Sequence, residues 1–74
     1  MGRLANTTFA ETVRVATRCG WTLNRVSGSH HIYVHTEVAG NLVIAAHGDI
    51  PAGTLRTLIR KMGLTVDDFN RLKR

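Results

Sequence analysis

The segment Gly28-Ser29-His30-His31-Ile32-Tyr33 places two imidazoles and a phenol directly behind a glycine-serine pair, and further histidines follow at positions 35 and 47. Imidazole has an ordinary pKa of about 6.5, so near neutrality it can take the proton of an RNA 2′-hydroxyl or give one to a leaving oxygen. RNA brings its own nucleophile, and phosphodiester cleavage therefore needs no serine triad. His30 stands at the mouth of a turn where backbone can approach a ligand closely. Its functional reading is general acid or base, and the competing reading is a half-buried strand histidine.

Alternate residues of a strand point to opposite faces, so His31, Tyr33 and His35 share one face and His30 shares the other with Ile32 and Val34. One strand cannot bring all three histidines to one site. The spacing His31-x-x-x-His35 would suit a zinc pair on a helix, but on a strand it separates the two residues by about 13 Å, too far for one ion. No metal site and no cofactor is expected, and His31 and His35 read as exposed strand residues. Tyr33 has two readings, a platform for a base and a plain sheet-face tyrosine. Trp21 reads as a core or rim aromatic whose loss would damage folding first.

A second group of residues suits phosphate. Gly53 and Thr54 fall in the first turn of a predicted helix, where free N–H groups and the helix dipole favour an anion; ordinary helix initiation explains them equally well. Arg56 and Arg60, with Lys61 beside them, lie away from that helix's apolar stripe, and together with Arg25 they could surround the His30 turn with positive charge. Ten Lys and Arg against five Asp and Glu give a net charge of +5. That excess favours a polyanionic partner, although solubility alone would also account for it.

The elements that must position these residues follow from periodicity. Phe9, Val13, Ala16 and Cys19 recur at helical spacing behind a possible capping box of Thr8 and Glu11, and Gly20 stops the helix. Trp21–Val26 and His30–His35 read as two strands joined at Ser27-Gly28. Gly40-Asn41 reads as a second turn, followed by a buried strand from Leu42 to Ala46. Asp49 and Pro51 announce a helix carrying the stripe Leu55, Leu58, Ile59 and Met62, ended by Gly63. Thr65, Asp67 and Asp68 open a short helical turn in which Phe69 and Leu72 could pack back on the body. The expected fold class is α+β, in the order α-β-β-β-α, with both helices on one face of a three-stranded antiparallel sheet and the other face open.

Seventy-four residues form one domain, 1–74, with its core within about 9–69. A chain of this size buries only about 60% of its unfolded surface. Cys19 is the sole cysteine, so no internal disulfide can form, which fits a reducing compartment. No apolar run approaches the roughly 18 residues of a membrane span and the N-terminus lacks a signal pattern, so a cytoplasmic protein without a membrane partner is expected.

The residues Gly20-Trp21, Arg25-Val26-Ser27-Gly28-Ser29-His30-His31-Ile32-Tyr33, His47, Gly53-Thr54-Leu55 and Met62-Gly63-Leu64 together resemble the HicA family of toxin–antitoxin systems, formerly called YcfA-like proteins. The resemblance covers about Phe9 to Phe69. It implies a fold similar to a double-stranded-RNA-binding domain and cleavage of messenger RNA, with the first histidine after Gly-Ser, here His30, acting in catalysis. Gly28 would shape the loop. The implied partner is a HicB-like antitoxin that covers the site, and DNA is reached only through the complex of toxin and antitoxin. One departure stands out: the family usually has Ile-Pro-x-His where this chain has Ile44-Ala45-Ala46-His47.

The leading expectation is thus a metal-independent ribonuclease with His30 as general acid or base, Gly28, Ser29, Arg25, Tyr33, His47, Gly53, Thr54 and Arg56 binding RNA or shaping the site, and His47 or Tyr33 as candidates for the second proton-transfer group. The alternative is a non-catalytic module that reads double-stranded RNA by shape. A third reading is an inactive relative kept as a protein-interaction domain.

Overall fold

The computed structural model describes residues 4–74; Met1 to Arg3, part of the N-terminal stretch considered for a signal pattern, lie outside them. The elements are β1 (Thr7–Thr8), α1 (Phe9–Arg18), β2 (Thr22–Ser27), β3 (His30–His35), β4 (Val38–Ala45), β5 (Asp49–Ile50), α2 (Ala52–Lys61) and α3 (Val66–Leu72). The fold is α+β, built on an antiparallel sheet in the order β2-β3-β4. Two features add to the expected order: β1 pairs with β5 in a separate two-residue ladder, and the last helical turn grows into a helix of its own.

Each of α1 and α3 begins with a reciprocal cap. The Glu11 N–H donates to Thr8 Oγ1 at 3.2 Å while the Thr8 N–H donates to Glu11 Oε1 at 2.9 Å, and Thr65 and Asp68 repeat the arrangement at 3.0 and 3.1 Å. These bonds occupy donors that a helix start otherwise leaves unpaired. α1 ends where the Cys19 N–H reaches the carbonyls of Val15 and Ala16, and Gly20 turns the chain with a φ of 93°. That conformation is costly for any residue with a Cβ.

The core lies on one face of the sheet. Val15 and Ala16 of α1, Leu55, Leu58 and Ile59 of α2 and Phe69 of α3 pack on Tyr33, Leu42 and Ile44, with Trp21 beside them. The registers Tyr33–Leu42 and His31–Ile44 put those four residues on the covered face. Ile32 is also buried, yet it is absent from this cluster. Paired with Arg25 on one side and Val43 on the other, it sits at the centre of the opposite face, where the shielding comes from its sheet neighbours.

Three sequence expectations need correction. Gly40-Asn41 is not a turn: β4 runs through it, and the chain reverses at Thr36-Glu37. The ladder pairs Tyr33 with Leu42 but His35 with Val38, so β4 carries extra residues opposite Val34, and Gly40 with a φ of 85° forms a bulge in the strand. His31 and His35 are half-buried rather than exposed. His31 meets Phe9 edge-on with ring centroids 4.9 Å apart, and His35 meets Trp21 in the same manner at 5.3 Å. The short turn after Thr65 is a seven-residue helix, since its capping box lets Phe69 reach complete burial.

Candidate active site

β2 and β3 are joined by the two-residue turn Gly28-Ser29, closed by the pair Ser27–His30. Gly28 has a φ of 59°, which suits the first central position of a tight hairpin whose twist matches its strands. A Cβ there would meet nothing within 4 Å, so the glycine answers to backbone conformation and the loop faces open space. His30 follows as the first residue of β3 and is exposed, as are Gly28 and Ser29.

Register places the neighbours of His30. Ser27 lies across the ladder on one side and Ala45 on the other, and Arg25 lies two residues along from Ser27, opposite Ile32. Directly paired residues and residues two apart share a face, so Arg25, Ser27 and His30 all lie on the sheet face that the helices leave open. Beyond Ala45, the Ala46 N–H donates to the Ser29 carbonyl at 2.7 Å, and the exposed His47 follows immediately. The turn before His30 and the bend carrying His47 are therefore held together at one end of the sheet.

Other expected residues are placed elsewhere. Tyr33 is 6% exposed and packs in the core, and burial raises its phenol pKa above the usual value. Its ring offers no face for a base, so the stacking role is corrected and Tyr33 supports β3 from beneath. Gly53 and Thr54 are exposed in the first turn of α2, on the helix-covered side, reached from His47 through Gly48, β5 and Pro51. Pro51 supplies no side-chain cap, so the first N–H groups of α2 stay free to meet an anion. Arg56 faces a cleft between α2 and α3 together with Arg60, apart from the His30 face.

Ser27 was not among the expected site residues. Its signal was the turn itself, because a two-residue turn at Gly28-Ser29 obliges Ser27 and His30 to pair. Among the described residues no group of three or more His, Cys, Asp or Glu side chains is placed to hold a metal ion. Cys19 is half-buried, and desolvation raises its pKa, which keeps the thiol protonated and poorly nucleophilic.

The fold and the turn define a small basic α+β domain that presents one exposed hairpin histidine on its open sheet face. A family model described as the HicA toxin of bacterial toxin–antitoxin systems matches residues 9–64, and the chain belongs to that family. It is therefore a toxin of the toxin–antitoxin kind, and membership implies a cognate antitoxin. No curated protein matches the chain. None of the described helices is long and apolar enough to cross a membrane.

Proposed function

We propose that the chain is a ribonuclease that cleaves messenger RNA without a metal ion, with His30 as general acid or base. The observation that carries this reading is the placement of His30: exposed, behind a glycine turn, beside Ser27 and Arg25 on the open face and tied through Ser29 and Ala46 to His47. Its neighbours leave the imidazole free to reach a phosphodiester.

In this account the RNA backbone runs across the end of the sheet and Arg25 pairs with phosphate. His30 takes the proton of the 2′-hydroxyl as that oxygen attacks phosphorus, or gives one to the departing 5′-oxygen. The products are a 2′,3′-cyclic phosphate and a 5′-hydroxyl. His47 is the proposed second proton-transfer group, because the Ala46–Ser29 bond keeps its bend beside the His30 turn. Gly28 and Ser29 shape the loop, and the free start of α2 at Gly53 and Thr54 holds a further phosphate around the rim. A HicB-like antitoxin would cover this end of the sheet, and DNA would be contacted through the complex alone. The setting proposed is the cytoplasm.

The test is incubation of the purified protein with a long single-stranded RNA in EDTA, followed by analysis of the product ends. Cyclic phosphate and 5′-hydroxyl ends are expected. RNA bound intact, with no new ends, would replace this reading by that of a non-catalytic RNA-binding module.

A further inference from the structure

We propose that the cleft between α2 and α3 docks a peptide segment of a partner protein, one that sets a bulky apolar side chain beside carboxylates. The cleft has a volume of about 240 Å³ and is lined by Arg56, Ile59, Arg60, Leu64, Thr65 and Val66. That volume is below the roughly 300–1,000 Å³ of pockets for drug-sized ligands, and it fits one large side chain better than a cofactor. Ile59 is 3% exposed and forms an apolar floor with the half-buried Leu64 and Val66.

The charge of the wall selects the occupant. Arg56 and Arg60 lie four residues apart on one side of α2, so both guanidinium groups address the same ligand. Among the described residues the ion pair is Arg71–Asp68, and Asp68 is further engaged by the Thr65 N–H. Among the described residues no ion pair neutralises the two arginines, which makes the wall complementary to carboxylates, where planar guanidinium forks bind well. An RNA backbone fits less well, because sugar and phosphate have nothing to place on Ile59, Leu64 and Val66, and no aromatic ring lines the cleft to stack a base.

This surface lies apart from the His30 turn. One wall belongs to the segment beginning at Thr65, outside the matched residues 9–64. Docking here is independent of whether the chain cleaves RNA.

The experiment is selection of a random dodecapeptide phage library on the immobilised full chain, with circular dichroism confirming the fold of every variant. Enriched peptides should combine Leu, Ile, Phe or Met with nearby Asp or Glu. A labelled enriched peptide should shift the amide resonances of Arg56, Ile59, Arg60, Leu64 and Val66, and should bind at least about tenfold more weakly to R56E/R60E and to V66K. The proposal is overturned if no peptide is enriched, if enriched peptides lack carboxylates, if the shifts map elsewhere, or if oligouridylate RNA displaces the peptide. RNA cleavage, present or absent, leaves this result unchanged.

Discussion

The Ala46 N–H donates to the Ser29 carbonyl at 2.7 Å, so the turn in front of His30 and the bend in front of His47 form one unit. This bond lies just outside the His30–Ala45 pair, which makes that pair the non-hydrogen-bonded kind. The N–H of Ala45 then points off the outer edge of β4, an edge strand.

A contrast between adjacent residues follows. Proline at position 45, where the family usually has it, removes no ladder bond, so Ala45→Pro should fold with a stability within about 1 kcal/mol of the parent. Ala46→Pro removes the donor to Ser29 and should cost about 1–3 kcal/mol. Urea denaturation of the two variants measures the difference, and equal losses would refute this account of the bend.

The end of α1 is latched to the β3–β4 turn by one histidine. His35 Nε2–H donates to the Cys19 carbonyl at 3.0 Å and Nδ1 accepts from the Glu37 N–H at 3.0 Å, an arrangement that requires the neutral Nε2–H tautomer. A Cβ on Gly20 would lie 2.9 Å from that Nε2, and Gly20 has a φ of 93°. Gly20→Ala should therefore destabilise by at least about 1–2 kcal/mol, from backbone conformation alone, with the displaced latch adding to it. Thermal melts monitored by Trp21 fluorescence would show the loss, and an unchanged melting temperature would count against the latch.

Acid should weaken both capped helices. Backbone N–H donation from Thr8 to Glu11, and from Thr65 to Asp68, lowers the pKa of each carboxylate below its ordinary value of 4.5 or 3.8. A carboxylate with a depressed folded-state pKa contributes stability that is complete above its unfolded value and is lost as pH falls through the folded one. Stability should thus decline as pH drops below about 4.5, and Glu11→Gln with Asp68→Asn should flatten that decline. Neither carboxylate is buried, so added salt should shrink the effect. Chemical denaturation at a series of pH values is the check.

α3 should be indispensable to the domain although it lies beyond the matched segment. Phe69 is fully buried in the common core, and Arg18 donates to the carbonyls of Leu72 and Arg74 at 2.7 and 2.8 Å while Arg14 donates to that of Lys73 at 3.1 Å. Phe69→Ala should cost about 3–5 kcal/mol, a large part of what so small a core can supply. A chain ending at Leu64 should lose its cooperative melt by circular dichroism; a retained melt would show α3 to be an accessory.

Much of this architecture was legible from local signals, and the exceptions have physical causes. The stripe of α2 and the box of Thr8 and Glu11 depend on neighbours within four residues, and both appear where periodicity places them. Gly40 misled because positive φ serves turns and bulges alike, and only the pairing of β3 with β4 decides between them. The partners of His31 and His35 were invisible because Phe9 and Trp21 reach them through tertiary packing. Alternation correctly separated His30 from His31, while the burial of Tyr33 depended on how far the helices cover β3.

The most direct test of the central claim compares RNA cleavage in EDTA by the parent, His30→Ala and His31→Ala, each shown to be folded by circular dichroism. Loss of the acid–base group should lower the rate of His30→Ala by about 10²- to 10⁴-fold, whereas His31→Ala should keep cleaving, with somewhat lower stability from the lost Phe9 contact. A folded His30→Ala that cleaves at the parent rate would contradict the account. Loss of cleavage in His31→Ala alone would move the chemistry to the helix-covered face.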